Sequence, residues 1–558
     1  IRPFAAATPT DGYAAYSAVI TPPTDASTAI TKLSPQALGI TNPAVQSLCP
    51  NTLNNDNLTA AQCKELALNF AMAQQTTTLK NSTFVFKDRY YTASSPTKSA
   101  FGDIFHSTPT VVGPPAALIR DESYQTFKSQ TNPQVVDRPT VLYTATNDGL
   151  LHAFDTSVTS AELNEIWALI PPAVLPNIIN TYPAAHALLL DGAPIIKDVV
   201  WSRTASDLGL ASKWHTMLVA SFGSASRGYY AVDVTSPGLP GVTGQTNATG
   251  PQFRWQLTNA GATSANISTG QQIFGSHSAT PAITTVYVDL GSSAGGLQEI
   301  GVAVLPGGSD LPAVAGTCTR HYTVGSSGTT GDDATPNNST PNYAPRAGVP
   351  CYGNATGSTR STLPVAGRSL TIVRLDTGEI LRTFSPAEDK PFTPNWTAAP
   401  FDSPMTGTPV VYPSTVGAIA QKIYIGDADG TVWRFDLSST DPTQWKGELF
   451  FDTYNQTAYT AGTAAKDGQR IAVQPVVALD RAGNLVVEVA TGDQETFTPS
   501  GTNFVWSLTD RFNSAKNKLL SSVNWYIPFG PTDGSACIST SECGKKVSGP
   551  MAVFDGVF

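Results

Sequence analysis

The segment Gly291-Ser292-Ser293-Ala294-Gly295 has the G-x-S-x-G spacing that seats a nucleophilic serine on a strand-to-helix elbow in hydrolases. That chemistry needs a helix directly after the serine, because the helix N-terminus supports the oxyanion hole. Gly296 to Val304 read instead as loop and then strand, so the spacing predicts an ordinary turn in a Gly- and Ser-rich chain. Six histidines, His106, His152, His186, His215, His277 and His321, show neither HExxH nor paired metal-ligand spacing. His152 and His215 lie within or beside strand patterns and are read as packed, hydrogen-bonded structural residues. Asp427 and Asp429 alternate ahead of Gly430, which signals a hairpin turn before it signals a cation site. No catalytic, cofactor or metal residue is therefore assigned from the sequence.

The cysteines form three local pairs: Cys49 with Cys63, Cys318 with Cys351, and Cys537 with Cys543. Six cysteines allow fifteen connectivities, and this one is expected because each pair lies within one loop or turn while the pairs are far apart. Metal thiolates want CxxC-type spacing, whereas 13, 32 and 5 residues intervene here. Disulfides place the chain in an oxidising compartment.

Composition agrees. Charged residues make up 13% of the chain, against roughly 25% in an ordinary globular protein, while Gly (46) and Pro (42) are plentiful. This is the profile of an extracytoplasmic β protein. A net charge of −9 with no dense Lys/Arg cluster removes the electrostatic footprint that nucleic-acid binding requires. The most apolar stretch, Ile166 to Ile179, is interrupted by Pro171, Pro172 and Pro176, so no membrane span is expected. The chain starts at Ile1 without Met and stops at Asp555-Gly556-Val557-Phe558 in a strand-like pattern. A removed leader is expected, with gene ends that differ from these.

The elements that would position these residues alternate along the chain. Residues 1–100 are rich in Thr, Ala, Ser and Pro and carry few strand signals, apart from a short amphipathic helix at Leu58 to Ala73 capped by Leu58 and Thr59. From Gly102 onward, six strand openers put Pro before β-branched or apolar residues: at Pro109, Pro194, Pro281, Pro409, Pro475 and Pro550. Pro is tolerated at a strand's first residue because the missing N–H would be unpaired there. Middle strands follow, such as Val141 to Ala145 and Lys422 to Gly426, and then closers such as Leu150 to Asp155 and Val432 to Leu437. Asn147-Asp148-Gly149 and Asp427-Ala428-Asp429-Gly430 are two copies of one turn within this unit.

Repeated three- to four-stranded units predict a mainly β fold, a decorated propeller of about seven blades over 101–558, with a small mixed N-terminal region at 1–100. The openers recur at irregular intervals of roughly 60 to 130 residues, unlike the ~40-residue WD period. The widest interval holds a Gly/Ser/Thr/Asn/Pro-rich insertion at 306–367, expected to be a surface loop stapled by Cys318–Cys351 and a candidate recognition element.

Gly102-Asp103-Ile104-Phe105-His106-Ser107-Thr108-Pro109, Val141-Leu142-Tyr143 with Asn147 to Asp155, and Trp167-Ala168-Leu169-Ile170-Pro171-Pro172 resemble the C-terminal propeller of the PilC/PilY proteins. The likeness continues through Trp214-His215-Thr216, Arg227 to Asp233, Gly426 to Leu437 and Gly549 to Gly556, in order over about 102–558. The resemblance implies a non-enzymatic factor at the tip of bacterial type IV pili, reached through the periplasm. It further implies minor pilins as partners in assembly and retraction control, roles in adhesion and twitching motility, and host or abiotic surface ligands.

Two departures bear on what carries over. Family members commonly place a DxDxDGxxD calcium loop before the strand that enters the Gly-Asp turn, but Tyr412 to Gln421 here contain no Asp or Glu. Calcium takes roughly six to eight oxygens, mainly carboxylates, so no cofactor is expected and calcium control of retraction is expected to be lost. The only near match to a von Willebrand A-type DxSxS site is Asp25-Ala26-Ser27-Thr28-Ala29, which lacks the last Ser and a preceding strand.

The enzymatic alternative is a periplasmic quinoprotein dehydrogenase, a PQQ-type propeller in which Trp167, Trp201, Trp255, Trp433 and Trp506 would dock blades around the cofactor. Such enzymes add vicinal cysteines and a carboxylate base beside calcium, and no two cysteines are adjacent here. Tryptophans filling sheet interfaces are the simpler reading.

Overall fold

The computed structural model describes residues 40, 59–71, 76–79, 82–85, 101–131, 135–157, 165–178, 187–224, 227–238, 250–258, 273–309, 322–323, 335–336, 367–386, 390–391, 395–401, 403–453, 469–494, 502–513, 518–530 and 545–553. The fold is mainly β with few helices. Two compact units divide it: 1–199, 209–258 and 375–378 form the first, and 200–208, 259–374 and 379–558 the second.

In the first unit, helix α1 (Ala60–Ala71) begins where Thr59 exchanges hydrogen bonds with Gln62, N to Oε1 at 3.0 Å and Oγ1 from N at 3.3 Å. This capping box satisfies two otherwise orphaned N–H groups. Hairpin β1 (Thr76–Leu79) and β2 (Ser82–Val85) follows, although the sequence there carries few strand signals. Two four-stranded antiparallel sheets then form. The first runs β3 (Thr110–Val112), β4 (Val141–Ala145), β5 (Leu151–Asp155), β6 (Glu165–Leu169). The second runs from β7 (Ile195–Val200) at one edge through β9 (Trp214–Ser221) and β10 (Gly228–Asp233) to β11 (Gln252–Thr258). Helices α2 (Glu122–Lys128), capped by Asp121, and α3 (Leu175–Ile178) lie in the connections. Leu66 and Ala67 of α1 join Leu151, Leu190, Phe222 and Tyr230 in one buried cluster, so the helix belongs to this unit's core.

Among the described residues the second unit holds three larger sheets and one two-stranded one. Strand β8 (Ser202–Arg203) pairs with β13 (Leu297–Pro306), which lies between β12 (Ala282–Asp289) and β16 (Leu370–Arg374). Strands β17 (Ile380–Ser385) and β18 (Trp396–Ala398) complete that sheet. Within the 306–367 insertion, β14 (Tyr322–Thr323) pairs with β15 (Thr335–Pro336). The fourth sheet runs β19 (Val410–Tyr412), β20 (Lys422–Gly426), β21 (Thr431–Asp436), β22 (Lys446–Asp452). The fifth runs β23 (Val476–Leu479), β24 (Leu485–Ala490), β25 (Phe504–Asn513), β26 (Lys518–Pro528).

Five of the six Pro openers lead directly into first strands, at β3, β7, β12, β19 and β23. The sixth does not: Met551 to Val553 form no strand, and the stretch before them is instead held by Val547 N to Thr491 O and Gln494 Nε2 to Ser548 O. A second regularity is structural. In each of the five larger sheets among the described residues the register shifts between the third strand and the fourth, at Ala153/Phe154, Ala231/Val232, Ile372/Val373, Val432/Trp433 and Ser507/Leu508. A bulge there bends and twists the fourth strand, so these five sheets are copies of one unit down to an irregularity.

Aromatic side chains fill the space between neighbouring sheets of the second unit. Trp433 meets Phe401 edge-on at 4.9 Å between ring centres, and Phe384 meets Phe435 at 5.0 Å. Phe451 meets Trp506 at 5.0 Å on the other side of the fourth sheet. Each such buried ring contributes about 1.5–3 kcal/mol of transfer free energy, with edge-to-face geometry adding about 0.5–1.5 kcal/mol.

Candidate functional site

The repeated turn is the natural place to look for chemistry. Between β20 and β21, Asp427 Oδ1 accepts the backbone N–H of Asp429 at 3.0 Å and of Thr431 at 2.8 Å, while Oδ2 accepts Trp433 Nε1 at 2.9 Å. Asp429 Oδ1 accepts Thr431 Oγ1 at 2.9 Å, and Gly430 supplies the left-handed φ of 88° that closes the turn. Both carboxyls are fully buried. Burial, then the neighbouring Asp429 charge, raise Asp427 well above the ordinary carboxylate range. A cation would have to displace the indole and amide donors that hold Asp427, so its oxygens are committed to shaping the turn and anchoring Trp433.

The first copy gives a different arrangement. Thr146 Oγ1 lies 3.1 Å from His152 Nε2, and His152 Nδ1 lies 2.6 Å from Glu165 Oε1. This is the order of a hydroxyl–imidazole–carboxylate relay. Thr146, however, is fully buried and also bonds Asp148 Oδ1, and Phe101 covers the imidazole at 4.7 Å. A nucleophile must reach its substrate; this hydroxyl is shut inside the sheet end. Sequence reading found His152 but not the relay, because Glu165 lies across a register shift on β6.

Two further histidines lie against carboxylates, while His277 Nδ1 lies 3.0 Å from Ser276 Oγ. His215 Nδ1 lies 2.8 Å from Asp233 Oδ2, and His106 Nδ1 lies 3.0 Å from the buried Asp191. The G-x-S-x-G segment is the β12–β13 hairpin loop, with a single 3-10 turn at Ser292–Ala294 and no following α-helix. Gly291 and Gly295 have positive φ, as a tight turn requires. Among the tryptophans weighed as cofactor docks, Trp167, Trp255, Trp433 and Trp506 are buried, and the first three donate their indole N–H to Pro237 O, Leu375 O and Asp427.

Sequence reasoning missed a buried ionic network in the second unit. Asp510 on β25 accepts Arg434 Nη1 at 2.7 Å, Lys422 Nζ at 2.9 Å and Tyr424 Oη at 2.5 Å, while Arg434 Nη2 reaches Glu448 at 2.9 Å. Burial, then the Asp510 charge, push the Tyr424 phenol far above its usual value. Nothing local signals it, since Arg434 and Asp510 are 76 residues apart.

The 412–421 segment links β19 to β20 and is closed by Gln421 N to Tyr412 O at 2.9 Å, with a cis bond at Tyr412-Pro413. Cys63 is buried and disulfide-bonded; its expected partner Cys49, and Cys318, Cys351, Cys537 and Cys543, lie outside the described residues. Most of the 306–367 insertion does too, but its roots are clear. Gly308 N donates to Met405 O at 3.0 Å and Met405 N to Gly367 O at 2.9 Å, joining the two ends backbone to backbone. A Cβ on Gly307 would sit 2.1 Å from Gly367 O. Among the described residues no group of three His, Cys, Asp or Glu could hold a metal, and no helix is long and apolar enough to cross a membrane.

No family model matches the chain. A type IV pilus biogenesis factor PilY1 of Pseudomonas aeruginosa (strain UCBPP-PA14) is 31% identical over 152 residues, 25% of this chain and 12% of that protein. A PilY1 homolog of Xylella fastidiosa (strain Temecula1) is 29% identical over 201 residues, 34% of this chain and 15% of that protein. The chain thus spans a small fraction of these relatives' lengths. The crystal structure of the Pseudomonas aeruginosa PilY1 C-terminal domain is similar over 73% of this chain and 65% of that one, at 19% identity and a TM-score of 0.41.

Proposed function

We propose, from its membership of the PilC/PilY family, that this chain is a non-enzymatic type IV pilus biogenesis factor acting outside the cytoplasm, at the pilus tip and cell surface. Minor pilins are its partners in assembly and retraction control, and adhesion and twitching depend on it. The observation that carries this reading is the sequence similarity to proteins named as pilus biogenesis factors.

The five sheets with Pro-led first strands and bulged fourth strands are the blades of a propeller of about seven over 101–558, following a small N-terminal region at 1–100. Cys49–Cys63, Cys318–Cys351 and Cys537–Cys543 are its disulfides, and the 306–367 insertion, held at its roots by Gly308, Gly367 and Met405, is its surface-contacting element. Calcium control at 412–421 is lost, since that connection offers no carboxylate. A scaffold rather than a quinoprotein is favoured by the engaged indoles of Trp167, Trp255 and Trp433 and by the enclosure of Thr146. In-frame deletion of the gene is expected to abolish twitching in the native bacterium, with restoration by the intact gene; undiminished twitching contradicts the proposal.

A further inference from the structure

Arg382 on β17 stands directly opposite Ile372 and shares the face on which Ile372 and Phe384 enter the core between sheets. It is only 6% exposed. A guanidinium carries five N–H donors and does not shed its charge, so burial obliges the protein to supply acceptors. Among the described residues it makes one hydrogen bond, Nη1 to Trp396 O at 3.1 Å, and its buried Nε has no acceptor. Leaving such donors unmet is costly, more so for a charged group.

The nearby carboxylate does not fill the gap. Asp441 acts on Arg382 only through space, opposing the downward push of burial on the guanidinium. Its oxygens are held by Thr443 N and Thr443 Oγ1, both at 2.8 Å, as the cap of the short turn Pro442–Gln444. A second cation lies on the same tryptophan: Nζ of the exposed Lys390 is 5.3 Å from the centre of the Trp396 ring. Among the described residues neither Arg382 nor Lys390 forms an ion pair.

We propose that Arg382, Lys390 and Trp396 form a binding site for an oxyanion, a carboxylate or phosphate group presenting two adjacent oxygens. The guanidinium edge carrying Nε takes the two oxygens as a fork, the exposed Lys390 adds a point charge, and the Trp396 main chain and ring fix the two cations. The group can belong to a free small anion or to a larger ligand that carries it; the chemistry at the arginine is the same.

The test is the thermal unfolding midpoint of the whole 558-residue chain titrated with inorganic phosphate and, separately, with acetate, at ionic strength held constant by sodium chloride. Saturable stabilisation is expected, greater for phosphate if the ligand is a phosphate and for acetate if it is a carboxylate. Lys390→Ala should weaken the half-saturating concentration about tenfold, and Arg382→Gln should remove saturation. Where Arg382→Gln does not fold, Lys390→Ala decides, because that side chain is exposed and its replacement opens no core. Stabilisation that does not saturate with either anion, or that is unchanged in Lys390→Ala, overturns the proposal.

Discussion

Asp510 on β25 receives the Arg434 guanidinium of β21 at 2.7 Å, with Asp510 fully enclosed, so one buried charge pair ties the fourth sheet to the fifth. Lys422 and Tyr424 of β20 converge on the same carboxylate. Beside this polar lock the rings of Phe451 and Trp506 supply a non-directional seal. The apolar contact gives most of the free energy, and the ionic contact fixes which residues face each other.

Asp510→Ala should therefore cost about 3–5 kcal/mol, because it takes the shared carboxylate away from the buried Arg434 guanidinium and the partly buried Lys422 ammonium rather than merely removing a bond. Glu448→Ala, which removes only the half-exposed partner of Arg434, should cost under about 1 kcal/mol. Denaturant unfolding of the two variants checks the contrast, and equal losses would refute the lock.

Trp433→Phe keeps the ring contact with Phe401 but deletes the N–H given to Asp427. A buried acceptor left unmet costs about 1–3 kcal/mol, and that loss is expected in thermal unfolding. A change within about 0.3 kcal/mol would mean that the indole hydrogen bond does not hold the turn.

Glu488 on β24 is buried; burial raises its carboxyl above the ordinary value, and a hydrogen bond from Ser507 only partly opposes this. Its other oxygen, Oε2, has no hydrogen-bond partner among the described residues. A carboxyl whose folded pKa is raised favours folding fully below its unfolded value, about 4.3, and that contribution is lost as pH rises through the folded value. Glu488→Gln should accordingly raise the unfolding midpoint at pH 8 and change it little at pH 4. A larger gain at the acid end would show the sign to be wrong.

Gly308 has φ of 74°, and a Cβ there would sit 2.1 Å from His277 O at the root of the insertion. Gly296 has a similar φ of 67° but open space around it. Gly296→Ala should cost about 1–2 kcal/mol from backbone strain alone, and Gly308→Ala clearly more because strain and collision add. Comparable costs in thermal unfolding would show that the root is not tightly joined.

Much of this architecture is legible in the sequence where the signal is local. Pro109, Pro194, Pro281, Pro409 and Pro475 mark first strands because Pro has one comfortable place in a ladder, and Thr59 marks a helix start. The same Pro signal misleads at Pro550, where no partner strand is paired with Met551 to Val553 among the described residues. Helix α2 escaped notice although Asp121 is an ordinary N-cap, because seven residues are too few for a periodic pattern to stand out. The buried groups that matter most, Asp510 beneath Arg434 and Arg382 beside Trp396, cannot be read from neighbours in the chain. Their meaning depends on what tertiary packing brings, or fails to bring, within hydrogen-bond reach.

The central claim, that this chain serves type IV pilus biogenesis, is tested most directly by the amount of pilin sheared from the surface of native cells lacking the gene. Loss of most surface pilin, with unchanged total pilin and recovery on complementation, is predicted. Wild-type sheared pilin in the deletion strain would contradict it.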